Sequence, residues 1–173
     1  VPCPVLYTYL LDPRGVTPIA FVAPTASASL PQRAAGVAAA TRLPLNIVAA
    51  SASYETGPPD FFPVMSSVVS KNPDLLVISG AAPADTPLLI RAARELGYQG
   101  IMSTETAQDA KVISELAGDM ANGFISVGGA STPEIRSAYM EEFIKKYEQV
   151  AGEWNDEAGT KVYALEIILN TIA

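Results

Sequence analysis

Histidine is absent from this sequence, and cysteine occurs once, at Cys3. Without histidine there is no Ser-His-Asp or Cys-His catalytic arrangement, and nearly every type of zinc site is excluded. A single cysteine cannot form an internal disulfide. We therefore expect neither of these catalytic arrangements and no metal site.

Positive charge is also scarce. The chain carries 11 Lys and Arg against 18 Asp and Glu, a formal net charge of -7, and Lys145–Lys146 is its only adjacent basic pair. Nucleic-acid binding needs a cationic stripe, so we expect no nucleic-acid partner. No apolar run approaches the ~18 residues of a membrane span, and we expect no membrane insertion.

Strands and helices alternate along the 173 residues, of which 49% are hydrophobic. The stretch 71–106 is the clearest example, with a buried strand at 75–78, an amphipathic helix at 84–96 ended by Gly97, and a strand at 98–102. Such alternation is typical of an α/β fold. We predict a doubly wound, mostly parallel sheet with helices on both faces. The remaining elements are predicted as strands at 5–11, 19–22, 45–49 and 124–127, and helices at 31–42 (weakened by Gly36), 61–70 and 108–117, with two more that begin at Thr132 and near Val162.

Glu105 is the first candidate for a functional residue. It follows a predicted strand, and ligands of open parallel sheets bind at the carboxyl ends of the strands. A carboxylate there, next to Thr104, can accept hydrogen bonds from a ligand ammonium or hydroxyl group. The alternative is an acid that stabilises the N-terminus of the helix at 108–117. The sequence leaves both roles open.

Two other loops end strands of the same sheet. The loop at 23–29 brings the hydroxyls of Thr25, Ser27 and Ser29 before a helix, where they either help to hold an anion or simply cap the helix. Capping is the commoner role. The small residues at 80–82 either let a ligand approach the backbone or form a tight turn.

The run NPDLLVISGAAPADTPLLIRAARELGYQGIMSTET resembles the second lobe of type I periplasmic solute-binding proteins, the receptors of ABC importers in the branched-chain amino acid group. Four further stretches resemble the same lobe, in the same order: PIAFVAP, YETGPPDFFPVMSSVVSKNPD, ANGFISVGGASTPEIRSAYMEEFIKKY and KVYALEIILNTIA. The resemblance divides the chain into a hinge or connecting segment at 1–17 and a single ligand-binding lobe at 18–173. The segment at 5–11 is then a hinge strand, in place of the helix that the family has there.

The resemblance implies a non-enzymatic receptor without cofactors that is periplasmic or extracellular, free or lipid-anchored through a segment outside this sequence. It would capture a small organic solute, an amino acid or a related carboxylate or amide, between two lobes and deliver it to a membrane permease. Ser27, Ala82, Thr104 and Glu105 would contact the solute. Glu105 matches an acid that faces the ligand ammonium in amino-acid-binding members. Ala82 replaces an aromatic contact and the residues near Ser27 replace a D-x-Y-G motif, which argues against a standard α-amino acid.

Two other functions fit the predicted fold. One is the cytosolic effector-binding domain of a transcription regulator, which shares the architecture of this lobe and would follow a helix-turn-helix segment. The other is a small enzyme of flavodoxin-like topology. The absence of histidine and of a phosphate-binding loop argues against the enzyme.

Overall fold

The computed structural model describes residues 3–55, 60–128, 134, 136–159 and 164–172. The chain divides into two compact units, one formed by residues 1–106 with 110–127 and the other by 107–109 with 128–173. The predicted boundary between a connecting segment at 1–17 and a lobe at 18–173 stays a prediction.

The first unit contains a four-stranded sheet in which every pair of neighbouring strands is parallel. The strands lie in the order β2-β1-β3-β4, and α1 precedes the first of them. The predicted α/β fold is confirmed. The elements of this unit are α1 (Cys3–Arg14), β1 (Pro18–Pro24), α2 (Ser29–Thr41), β2 (Asn46–Tyr54), α3 (Phe62–Val69), β3 (Leu75–Ile78), α4 (Asp85–Glu95), β4 (Ile101–Ser103), α5 (Ala110–Ala117) and a 3₁₀ turn at Gly118–Ala121.

Helices cover both faces of this sheet, as the sequence predicts. Successive side chains of a strand point to opposite faces, and the apolar residues of β1 and β3 divide accordingly. Ile19, Phe21 and Val77 pack with α1 and α2, whereas Val22 and Ile78 pack with α3, α4 and α5. The central strand β3 is buried on both faces, which is why its sequence is continuously apolar.

The strand predicted at 5–11 is wrong, because this segment lies within helix α1. The prediction that the chain lacks a helix before the first strand is wrong for the same reason. Cys3, Leu6, Tyr7 and Leu10 are buried against the sheet, and their spacing of three and four residues is that of one helix face. Burial of this face outweighs the preference of Val, Thr and Tyr for strands.

Smaller differences concern the ends of elements. Residues 124–127 form one isolated bridge, between Ile125 and Ser103, instead of the predicted strand. The 84–96 helix ends as predicted, since Gly97 follows it with a φ of 86°, a backbone conformation that glycine adopts without steric cost. The predicted helix start at Thr132 and residue Val162 lie outside the described residues.

The second unit contains three helices in its described part: α6 (Ala138–Ala151), α7 (Asp156–Gly159) and α8 (Ala164–Ile172). Ser137 caps α6, because its hydroxyl accepts a hydrogen bond from the backbone N–H of Met140. Trp154 packs edge-on against Phe143 and Tyr147 of α6. These contacts give this unit a small core of its own.

Candidate functional site

The loops that follow β1, β3 and β4 lie at one edge of the sheet. Val22 pairs with Ile78, and Leu76 pairs with Met102, in parallel register. The three strands therefore end on the same side, and the residues after them line the carboxyl edge. The sequence predicted this grouping, on which every candidate contact depends.

A direct contact joins the first two of these loops. The hydroxyl of Ser29 donates a hydrogen bond of 2.7 Å to the carbonyl oxygen of Gly80. Gly80 has a φ of 61°, and a Cβ there would lie 2.9 Å from the Cβ of Ser29. Both facts require glycine at this position. The structure thus supports a tight turn as the reason for glycine at position 80.

Two of the four predicted contact residues are accessible to solvent at the carboxyl edge. Ser27 is exposed, as is its neighbour Thr25, and Ala82 is half-buried. The carbonyl oxygen of Ala82 accepts hydrogen bonds from the backbone N–H groups of Asp85 and Thr86 in the first turn of α4. These bonds fix the loop backbone and leave the methyl group of Ala82 partly accessible.

The other two predicted contact residues are buried. Thr104 is 1% exposed and Glu105 is 0% exposed. The backbone N–H of Thr104 donates to the carbonyl oxygen of Ile125 at 2.9 Å, so the chain just after β4 is fixed by the isolated bridge. A ligand contact by either side chain stays a prediction.

Glu105 accepts hydrogen bonds from two buried hydroxyl groups. The Tyr7 hydroxyl donates to Oε1, and the Ser79 hydroxyl donates to Oε2 at 2.6 Å. An ionised carboxylate is purely an acceptor, and hydroxyl donors satisfy it well. The carboxylate therefore connects α1 to the ends of β3 and β4. It is directed to the α1–α2 side of the sheet, and its partners are these hydroxyls instead of the backbone amides of α5.

Gly36 of α2 makes room for this carboxylate. A Cβ at position 36 would overlap Oε1 of Glu105 and would lie 2.9 Å from the Tyr7 hydroxyl oxygen. Glycine lowers helix stability by about 1 kcal/mol relative to alanine. The close approach of the carboxylate explains why α2 carries a glycine among its alanines.

Burial and the charge of Glu105 raise the pKa values of the neighbouring Tyr7 hydroxyl and Cys3 thiol. Burial, followed by the Glu105 charge and the hydrogen bond, raises the pKa of Tyr7 far above its usual value. The same causes raise the pKa of the Cys3 thiol to about 12. Ionisation of either group is thus disfavoured beside this buried carboxylate.

Three members of this cluster are missing from the predicted site: Tyr7, Ser79 and Gly36. The sequence held a signal for each of them. Tyr7 belongs to the helical spacing of Cys3, Leu6 and Leu10, Ser79 is the first polar residue after four apolar ones, and Gly36 interrupts an alanine-rich helix. Only the fold shows that the three surround one carboxylate.

The opposite, amino edge of the sheet carries a separate cavity of about 510 Å³. Its walls include Asn72, Tyr98 and Gln99. The Tyr98 hydroxyl donates to the carbonyl oxygens of Asp74 and Ile101, at 3.2 and 3.0 Å. Tyr98 is thus a second buried tyrosine whose hydroxyl is hydrogen-bonded, and it lies at the opposite end of the strands from Tyr7.

Comparison with solved structures gives the same fold in several extracellular receptors. A ligand-binding receptor from Rhodopseudomonas palustris HaA2 superimposes with a TM-score of 0.79 at 19% identity, over 97% of this chain and 50% of that one. The leucine binding protein LivK of Thermotoga maritima gives 0.75 at 19% identity, over 90% and 44%. The leucine-, isoleucine-, valine-, threonine- and alanine-binding protein of Brucella ovis gives 0.67 at 21% identity, over 88% and 37%.

The chain thus spans half the length of these structures or less. A comparison with curated protein sequences found no match. Among the described residues, no helix is both long enough and apolar enough to cross a membrane. The family profile for periplasmic binding proteins matches residues 2–173, which is nearly the whole chain. The chain belongs to the periplasmic binding protein family.

Proposed function

We propose that this chain is one lobe of the extracytoplasmic receptor of an ABC importer. In this function it captures a small organic solute, an amino acid or a related carboxylate or amide, and catalyses no reaction. Its partners are the solute and a membrane permease, and its location is periplasmic or extracellular. The observation that carries the proposal is the carboxyl edge, where the loops after β1, β3 and β4 meet.

Two further facts support a receptor with two lobes. The structures that share the fold are about twice as long as this chain or longer, and their names describe ligand-binding receptors. A sheet edge alone covers one side of a solute, and closure of a second surface around the ligand is a common way to complete such a site. One lobe by itself should therefore bind solute weakly.

The predicted contacts fall into two layers at this edge. Ser27 and Ala82, which are accessible, supply a hydroxyl group and a small apolar surface on which a solute can rest. Thr104 and Glu105 lie behind them and are buried. Because Glu105 has no exposed surface, a direct contact with the solute requires its carboxylate, or the groups that cover it, to move.

The test is calorimetric titration of the full-length receptor with a panel of amino acids, their deaminated acids and their amides. The variant Ala82→Leu places three more carbon atoms on the partly accessible surface of the edge. We expect it to weaken binding about tenfold or more, because overpacking of a fitted contact costs about 1–3 kcal/mol. Gln99→Leu at the amino edge is the matched control and should leave the affinity unchanged. Equal losses in the two variants would contradict a site at the carboxyl edge.

A further inference from the structure

The carboxylate of Glu105 is withdrawn from the carboxyl edge although its residue follows β4 directly. Its exposure is 0%, and both oxygens are occupied by hydroxyl donors from α1 and from the end of β3. The neighbouring loops present the Thr25 and Ser27 hydroxyls instead. Because Glu105 has no exposed surface, its carboxylate could pair with a ligand ammonium group only by moving from this buried position toward the edge.

Tyr7 is one of the two residues that hold the carboxylate in this position. Its hydroxyl donates to Oε1 from α1, on the side of the sheet where α1 and α2 pack. The carboxylate lies where a Cβ at position 36 would be, so Gly36 leaves room for it on that side. A move toward the edge would leave the buried hydroxyls of Tyr7 and Ser79 without their acceptor, which is unfavourable.

We infer that Tyr7 is a specificity-determining residue that sequesters Glu105, so that the site selects solutes without an ammonium group, such as organic carboxylates and amides. This inference rests on the proposed function, which left amino acids and their acid or amide analogues open. Tyr7 acts through Glu105 and does not touch the solute. Its removal should therefore change the choice between ligands, and not simply weaken all of them.

The experiment measures that choice with matched pairs of probes on the full-length receptor. The pairs are leucine with 4-methylpentanoate and phenylalanine with 3-phenylpropanoate, which differ only in the ammonium group. The wild-type protein should bind the deaminated member of a pair more tightly. In Tyr7→Phe, Oε1 lacks its donor, and the affinity ratio should shift toward the amino acid by about tenfold to a hundredfold, the range expected for a hydrogen bond to a charged group.

Three variants make the result specific. Ser79→Ala frees Oε2 and should shift the ratio in the same direction, which keeps the test available if Tyr7→Phe folds poorly. Tyr7→Phe combined with Glu105→Gln should return the ratio toward that of the wild type. Tyr98→Phe removes a comparable buried hydroxyl at the amino edge and should leave the ratio unchanged.

The outcomes separate the inference from the proposed function. If the deaminated acids bind but Tyr7→Phe and Ser79→Ala leave the ratio as it is, the receptor function stands and the role of Tyr7 is overturned. A wild-type preference for the amino acids that is lost in Glu105→Gln overturns it as well. If neither member of any pair, nor any other solute of the panel, binds to the full-length receptor, the proposed function fails and the inference fails with it.

Discussion

Replacement of Glu105 by alanine should destabilise the protein strongly, since this carboxylate is a buried hydrogen-bond acceptor. Its removal leaves the hydroxyls of Tyr7 and Ser79 without their acceptor, and each orphaned buried donor costs about 1–3 kcal/mol. The vacated volume between α1, α2 and the sheet adds a cavity cost. The expected loss is about 4 kcal/mol in the free energy of unfolding.

Urea denaturation followed by circular dichroism measures this loss directly. In a chain of this size, about 4 kcal/mol corresponds to a fall in Tm of roughly 8–16 °C. Glu105→Gln keeps the shape and an acceptor oxygen, and its cost should be about 1 kcal/mol. Glu95→Ala removes a surface glutamate whose partner is Arg91, at 3.5 Å and one helical turn away, and should change the stability by less than about 0.5 kcal/mol.

The comparison of these variants tests the structural role of Glu105. A loss of less than about 1 kcal/mol in Glu105→Ala, similar to that of the Glu95 control, would refute the hydrogen-bonded cluster. A cost in Glu105→Gln equal to that in Glu105→Ala would show that the negative charge matters more than the shape and the acceptor oxygens.

Three further predictions concern the surroundings of this carboxylate. Gly36→Ala should lower the free energy of unfolding by about 2 kcal/mol despite the higher helix propensity of alanine, because the new Cβ overlaps Oε1 of Glu105. A variant that is more stable in thermal denaturation would contradict the close approach of Glu105 to Gly36. The buried Cys3 thiol, with its pKa raised to about 12, should react with DTNB at pH 8 only after unfolding, and rapid labelling of the native protein would contradict its burial. Its contribution to the free energy of unfolding should be lost as the pH rises from 9.0 toward 12, because the thiol ionises first in the unfolded chain. Ser29→Ala should lower the free energy of unfolding, measured by urea denaturation, by about 1 kcal/mol through loss of the hydrogen bond to Gly80. An unchanged midpoint of the urea transition would argue against that hydrogen bond.

The sheet and its carboxyl edge could be predicted because their signals are local. The strand at 75–78 is apolar throughout, the next helix has one apolar face, and Gly97 ends it; each feature is set by neighbours in sequence. The right succession of such units is enough to make the strands parallel. The same reasoning failed at 5–11, where β-branched and aromatic residues favoured a strand and the helical spacing of the buried residues went unused.

The environment of Glu105 could not be predicted from the sequence. Its two donors are 98 and 26 residues away along the chain, and no periodic pattern links them. Sequence position alone places a carboxylate at a strand end, where it is equally suited to a ligand or to a helix terminus. The hydroxyl of Tyr7 on α1 and the space beside Gly36 on α2 decide its direction, and the fold alone brings the two together.

Hydrogen exchange of the full-length receptor, with and without a solute that binds, tests the central claim most directly. Backbone amides of the loops after β1, β3 and β4, at residues 25–30, 80–86 and 104–106, should exchange more slowly in the complex, and those at the amino edge, at residues 97–100, should be unchanged. Slower exchange confined to the amino edge, with the three carboxyl-edge loops unaffected, would contradict the account.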